Sequence, residues 1–186
     1  MSKKKIKDIL KYAKSLVGLK RSDSWRTYKI GTNKAPWWTC NQKLPSISDI
    51  KKQGADCGGF ATLLRRYAGL PVDKLGGTGD WFNYLKKNKR LKKFNFKKSY
   101  PAGTLLLRDY NKKDGGHVAV IYEENKKGVL YSSLIHSVGW NDGTKTCRGV
   151  KIDKSVGQSH FFQYNGTTNT GHYTHICLPE DWLLKE

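Results

Sequence analysis

The chain has 186 residues, and 35 lysines and arginines against 15 aspartates and glutamates give it a formal net charge of +20. This length suits one domain with its own hydrophobic core. No segment is apolar for long enough to span a membrane, and no repeat or low-complexity tract is present. A charge of this size attracts polyanions such as nucleic acid, anionic lipid or acidic wall polymers, although it can equally serve only solubility.

The first predicted element is an amphipathic helix that ends at Gly18. Its apolar positions recur at helical spacing and are Ile6, Ile9, Leu10, Ala13, Leu16 and Val17. Charged residues interrupt this apolar stretch, so it does not fit a signal peptide. We therefore expect a cytoplasmic protein or one packaged in a virus particle. Residues 19–54 read as an irregular, aromatic-rich region.

The second predicted helix, over residues 57–68, begins at a cysteine. Its apolar positions are Phe60, Leu63, Leu64 and Tyr67, and Gly69 followed by Pro71 is a stop signal. A thiol at a helix N-terminus faces unpaired N–H groups and the positive end of the helix dipole, which favour the thiolate. Cys57 is therefore the predicted nucleophile and the most reactive of the four cysteines.

A third helix is predicted over residues 79–88, with Thr78 as its N-cap and with Trp81, Phe82 and Leu85 facing inward. The cationic stretch 86–98 follows and contains Phe94 and Phe96. One interpretation is a polyanion groove with stacking rings. The favoured interpretation is a solvated loop whose apolar residues pack on the core.

The rest of the chain predicts β-structure, with strands over 104–107, 117–123, 129–137, 147–152 and 172–178, and turn-rich breaks between several of them. Helices that precede an antiparallel sheet indicate the α+β class. Two of these strands carry histidines, His117 and His136. A cysteine nucleophile needs a base and a group that orients the base, and we assign these roles to His117 and His136. Other candidates for the orienting role are Asn141, Asp142 and, more weakly, His160.

Four local sequences in one order resemble the NlpC-type, papain-like cysteine peptidases. They are Asp56-Cys57-Gly58-Gly59-Phe60, Gly103-Thr104-Leu105-Leu106, His117-Val118-Ala119-Val120-Ile121-Tyr122 and Ile135-His136-Ser137. Gly58 stands where the family usually has serine, and Thr104 replaces an acidic residue. The resemblance covers roughly residues 55–140. It implies a papain-like fold in which a Cys-bearing helix packs on a His-bearing sheet, and cleavage of amide bonds in peptides such as those of peptidoglycan.

Two features depart from the family pattern. The Tyr-x-Trp-Gly-Gly segment that usually precedes the cysteine is missing, so Tyr28, Trp37 and Trp38 are the candidates for oxyanion or substrate contacts. The two histidines are also further apart along the chain than is usual. We expect one NlpC-like domain over residues 1–186, with the N-terminal helix and an aromatic-rich insertion over 1–54 and the catalytic core over about 55–178.

The cysteines predict neither a disulfide framework nor a metal site. Their spacing shows no Cys-x-x-Cys pair, which indicates reduced thiols. The one metal-like cluster is His172, His175 and Cys177. In a strand, His172 would point away from the other two, which is poor geometry for zinc. No cofactor is therefore expected.

Three functions fit the sequence. The first is a cysteine endopeptidase or amidase, with Cys57 as nucleophile and His117 as base. The second is a thioester-forming lipid hydrolase or acyltransferase, although relatives of that kind have the histidine before the cysteine. The third is a basic protein that retains the fold and associates with nucleic acid or another polyanion, for example inside a virus particle.

Overall fold

The structure is a computed structural model and describes residues 3–20, 44, 46–48, 50, 54–72, 75–108, 116–138, 149–159 and 173–183. The helices are α1 (Lys3–Ser15), α2 (Cys57–Tyr67), α3 (Thr78–Lys87) and α4 (Pro179–Trp182). The strands are β1 (Lys92–Lys93), β2 (Leu105–Arg108), β3 (His117–Glu123), β4 (Ser133–Val138), β5 (Gly149–Asp153) and β6 (His175–Cys177). None of the helices so described combines the length and the apolar character of a membrane span.

The six strands form one antiparallel sheet in the order β1-β6-β2-β3-β4-β5. Helices α1, α2 and α3 come before the sheet in the chain. The prediction of an α+β protein with an antiparallel sheet is therefore confirmed.

Each face of the sheet has its own core cluster, because side chains alternate along a strand. Val118, Val120 and Ile135 pack in the same cluster as the apolar residues of α1 and α2. Ala119 and Leu134 belong to the second cluster, which covers the opposite face. His117 and His136 share this second face by alternation. The body of α2 and the two histidines therefore lie on opposite faces of the sheet.

The third helix and its N-cap each lie one residue earlier in the chain than predicted. Gly77, not Thr78, is the N-cap, and Thr78 is the first helical residue. The carboxylate of Asp80 accepts a hydrogen bond from the N–H of Gly77 at 2.9 Å. This bond satisfies a backbone donor at the helix start without a capping hydroxyl. The Thr78 hydroxyl is thereby available to the site.

The prediction of one strand over residues 129–137 was wrong in its first part. Val129–Tyr131 is a 3-10 turn, and β4 begins at Ser133. The left-handed backbone of Gly128, with φ at 134°, turns the chain here. The N–H of Val129 then bonds the carbonyl of Lys98 at 2.8 Å instead of joining the ladder.

The cationic stretch also differs from the favoured loop. Lys92 and Lys93 pair through their backbones with Ile176 and His175, and so form an edge strand. Their side chains are exposed. Phe94 packs against the second core cluster as expected, whereas Phe96 is 45% exposed.

Candidate active site

Cys57 is the first residue of α2, as the sequence predicted. Asp56 is the N-cap, and its side chain accepts a hydrogen bond from the N–H of Gly59 at 2.6 Å. Cys57 itself is 7% exposed. The thiol therefore lies at the positive end of an 11-residue helix, an environment that stabilises a thiolate.

The residue after Cys57 is glycine because the loop before α3 passes directly over it. A Cβ at position 58 would collide with the carbonyl oxygen of Gly76 and lie 3.0 Å from Cα of Gly77. Trp81 holds this arrangement, since its indole Nε1–H donates to the carbonyl of Gly58 at 3.1 Å. The serine usual in the family has no room in this chain.

Thr78 lies between the thiol and the start of β3. Its Oγ1 is 3.4 Å from Sγ of Cys57. On its other side, a Cβ placed on Gly116 would lie 2.6 Å from the methyl carbon of Thr78. Gly116 directly precedes His117, so Thr78 connects the N-terminus of α2 with the strand that carries the proposed base.

Two histidines and an aspartate form a hydrogen-bonded chain across β3, β4 and β5. His117 Nε2 lies 2.8 Å from His136 Nδ1, and His136 Nε2 lies 3.0 Å from Asp153 Oδ2. The other carboxylate oxygen, Oδ1, is 3.0 Å from Nζ of Lys151. His117 and His136 are 1% and 0% exposed. Water therefore cannot easily replace the bond between the two histidines, whereas Asp153 is partly exposed.

The protonation states of the chain follow from burial and charge. Complete burial lowers the pKa of His136 below its usual value, and the attraction of Asp153 only partly opposes this. Burial would raise the pKa of Asp153, but hydrogen bonds and charge from His136 and Lys151 outweigh it and bring the pKa to about 2. At neutral pH, His136 is thus neutral and Asp153 is a carboxylate.

Tyr173 closes the histidine face of the site. Its ring centroid is 6.2 Å from that of His117. Burial raises the pKa of Tyr173, and the negative charges of Asp153 and of a Cys57 thiolate raise it further. The side chain is therefore a neutral phenol at any physiological pH.

The structure joins the predicted base and its orienting residue directly, because His117 and His136 share a hydrogen bond. The segment before Cys57 reaches the same end of β4, where Ser137 Oγ donates to the carbonyl of Ala55 at 2.7 Å. The other candidates lie outside the described residues: Tyr28, Trp37, Trp38, Asn141, Asp142 and His160.

Sequence reasoning missed Thr78, Asp153 and Tyr173 as members of the site. Thr78 was interpreted only as a helix cap. Asp153 belongs to no local motif, and the strand that carries it was predicted to end at residue 152. The one available signal was a carboxylate at the end of the strand after His136, and it becomes informative only once the β4–β5 register is known.

The sequence cluster near the C-terminus has a packing role in the described part of the chain. His175 and Cys177 both lie on β6, and the His175 ring packs edge-on against Phe82 with centroids 5.0 Å apart. Burial raises the pKa of Cys177 to about 12, so it remains a thiol at neutral pH. Groups of three potential metal ligands do not occur among the described residues, and His172 lies outside them.

Comparison with known proteins finds no family model that matches the chain, and no curated protein or solved structure that matches it. The resemblance to NlpC-type peptidases therefore depends on the four motifs alone.

Proposed function

We propose that the protein is a cysteine-nucleophile amide hydrolase with a papain-like arrangement of helix and sheet. The observation that supports this is the hydrogen-bonded chain of the buried His117 and His136 with the partly exposed Asp153. The Thr78 and Ser137 contacts join the segment around Cys57 to the same end of the sheet. A core histidine without a function needs only one partner. A run of hydrogen-bonded titratable side chains, with pKa values shifted by burial and by charged partners, is typical of functional sites.

The proposed reaction proceeds in two acyl-transfer steps. The Cys57 thiolate attacks the carbonyl carbon of an amide, and the backbone N–H of Cys57 donates to the oxyanion. The imidazolium of His117 gives its proton to the leaving amine as the C–N bond breaks, which leaves a thioester. Water then attacks the thioester carbonyl while His117 takes one of its protons. The C–S bond breaks, the carboxylic acid leaves, and the Cys57 thiolate and the His117 imidazolium are restored.

The proposed substrates are amide bonds of peptides, including the peptides of bacterial cell walls. This substrate class follows from the motif resemblance. A cysteine hydrolase of this kind needs no metal, and none of the steps above uses a cofactor.

The experiment that tests the proposal is site-resolved alkylation. Iodoacetamide should modify Cys57 at least about tenfold faster than the other three cysteines at neutral pH, with rates measured by mass spectrometry. Cys177 is the internal control, because it is buried with a pKa raised to about 12. His117→Asn should abolish this preference and Cys57→Ser should abolish amidase activity. Equal rates at Cys57 and Cys177 would contradict the proposal.

A second candidate function, polyanion binding, is favoured by one exposed feature. Lysines 92, 93, 97 and 98 are close to Phe96 in sequence, and all five side chains are exposed. Nζ of Lys97 lies 6.0 Å from the Phe96 ring centroid. An exposed aromatic ring among cations is the combination that single-stranded nucleic acids contact through bases and phosphates. This surface consists of β1 and the residues that follow it, and it includes none of the residues proposed for hydrolysis.

Binding of a single-stranded oligonucleotide at several salt concentrations tests this second function. Replacing lysines 92, 93, 97 and 98 by glutamine should flatten the dependence of log affinity on log salt, by about 0.7 per lost phosphate contact. Alkylation of Cys57 should be unchanged in this variant. If the wild-type protein fails to bind at low salt, the charge serves solubility and the polyanion function is wrong.

A further inference from the structure

We propose that Asp153 is a positioning residue that decides, through His136, which ring nitrogen of His117 acts as the base. The inference deepens the proposed hydrolase function and rests on it. It concerns a residue that no sequence motif identified. It assigns a donor and an acceptor to the His117–His136 and His136–Asp153 hydrogen bonds.

The directions follow from what each group can donate. A carboxylate only accepts hydrogen bonds, so His136 Nε2 carries the proton that reaches Asp153 Oδ2 across 3.0 Å. A neutral imidazole has one N–H, so His136 Nδ1 is an acceptor. His117 Nε2 must then donate across the 2.8 Å contact. The remaining nitrogen of a neutral His117, Nδ1, is left with its lone pair and is the one that can take a proton from the thiol.

Lys151 fixes which oxygen of Asp153 accepts the hydrogen bond from His136. Its ammonium lies 3.0 Å from Oδ1 of Asp153 and can only donate. Lys151 therefore holds one carboxylate oxygen and leaves Oδ2 to His136. Within the described part of the protein, the other titratable or charged groups around these hydrogen bonds are Arg108, paired with His117 across β2 and β3, Tyr173 and Cys57. Because Tyr173 is neutral, Asp153 is the anionic member of this group of hydrogen-bonded residues.

An Asp153→Asn substitution tests the direction of the chain with almost no change of shape. Lys151 would retain the amide oxygen, so the amide NH₂ would face His136 Nε2 and turn that nitrogen into an acceptor. His136 would then carry its proton on Nδ1 and donate to His117. His117 Nδ1 would become protonated and lose its function as a base.

The first measurement uses the unmodified protein labelled with ¹⁵N in its histidines. We expect His136 Nε2 and His117 Nε2 to show the chemical shifts of protonated nitrogens and both Nδ1 atoms those of bare nitrogens, at a pH where the thiol is neutral or in Cys57→Ser. Asp153→Asn should exchange these assignments. A bare Nε2 on His136 in the unmodified protein would overturn the proposal, whether or not any variant folds.

The second measurement is the rate of Cys57 alkylation and of amide turnover. Asp153→Asn should lower both at least about tenfold with little change in KM, as expected when a base is held in the wrong tautomer. Adding Lys151→Met frees the amide to rotate and should restore part of the rate. Asp181→Asn is the matched control, because it removes a carboxylate paired with Lys92 at 3.5 Å and should leave the rates unchanged.

These readouts separate the two proposals. If Cys57 is no more reactive than Cys177 but the histidine shifts are as expected, the hydrolase function fails while the hydrogen-bond directions stand. If Cys57 is selectively reactive and Asp153→Asn changes neither shifts nor rates, Asp153 has no positioning role.

Discussion

At the scale of single residues, the surroundings of Gly58 explain why this chain has glycine where NlpC-type peptidases usually have serine. The backbone of Gly76 and Gly77 occupies the volume that a side chain at position 58 would need. The same close approach brings α3 and the Thr78 hydroxyl to the thiol. Glycine at position 58 thus permits the contact between Thr78 and Cys57, which a serine at this position would prevent.

We predict that Gly58→Ser destabilises the protein by about 1 to 3 kcal/mol, because the new atoms meet backbone that cannot move without displacing α3. Gly79→Ser is the control, since Gly79 also lies in a helix and a Cβ there meets nothing within 4 Å. The control should change the free energy of unfolding by less than about 0.5 kcal/mol. Urea denaturation measures both, and equal effects would mean that the close approach is not rigid.

At the scale of elements, a buried arginine joins three helices. Arg65 on α2 is 0% exposed. Its guanidinium donates to the carbonyl of Pro71 at 2.7 Å, to the Tyr84 hydroxyl on α3 at 3.0 Å and to the carbonyl of Trp182 on α4. These bonds fix α2 from its C-terminal half and thereby hold Cys57 at the end of the sheet.

Arg65→Met should therefore cost about 2 to 4 kcal/mol of stability, because the buried carbonyls and the hydroxyl lose a charged donor. Lys86→Met, on the exposed side of α3, is the matched control and should have almost no effect. Thermal unfolding followed by circular dichroism compares the two. A similar small shift for both variants would show that packing alone positions α2.

The elements themselves were largely predictable, and their departures have local causes. Helical spacing of the apolar residues located α1, α2 and α3, and a continuous apolar run located β3 to the residue. β1 could not be foreseen, because Lys92 and Lys93 join the sheet only through backbone bonds to β6. Asp153 could not be assigned either, since its role arises from a partner on β4, 17 residues away in sequence.

At the scale of the whole molecule, the buried histidine chain makes stability depend on pH. The pKa of His136 lies below its usual value of 6.5 in the folded protein, so only the unfolded chain takes up this proton as the pH falls through 6.5. Asp153 has a folded pKa of about 2 against 3.8, so its contribution is present above 3.8 and is lost as the pH falls towards 2. Both groups make the unfolded state bind more protons in acid.

We predict that the free energy of unfolding decreases steadily from pH 7 to pH 3. Asp153 should account for about 1 to 2 kcal/mol of the loss, after allowance for its partial exposure. Urea denaturation at each pH measures the profile. Asp153→Leu should flatten its acid part, whereas Asp181→Asn should leave the slope as it is. A profile that rises towards acid would contradict the assignment of a neutral, buried His136.

The short edge strand has a consequence for how copies of this protein meet in solution. β1 is an edge strand of the six-stranded sheet and has only two residues, Lys92 and Lys93, whose side chains are both exposed. An open margin normally invites another chain to extend the ladder, and repeated extension produces fibrils. Here a second copy would have to bring its own Lys92 and Lys93 against the same like charges. The like charges therefore oppose pairing of two copies through β1, and added anions that screen these lysines would weaken that opposition.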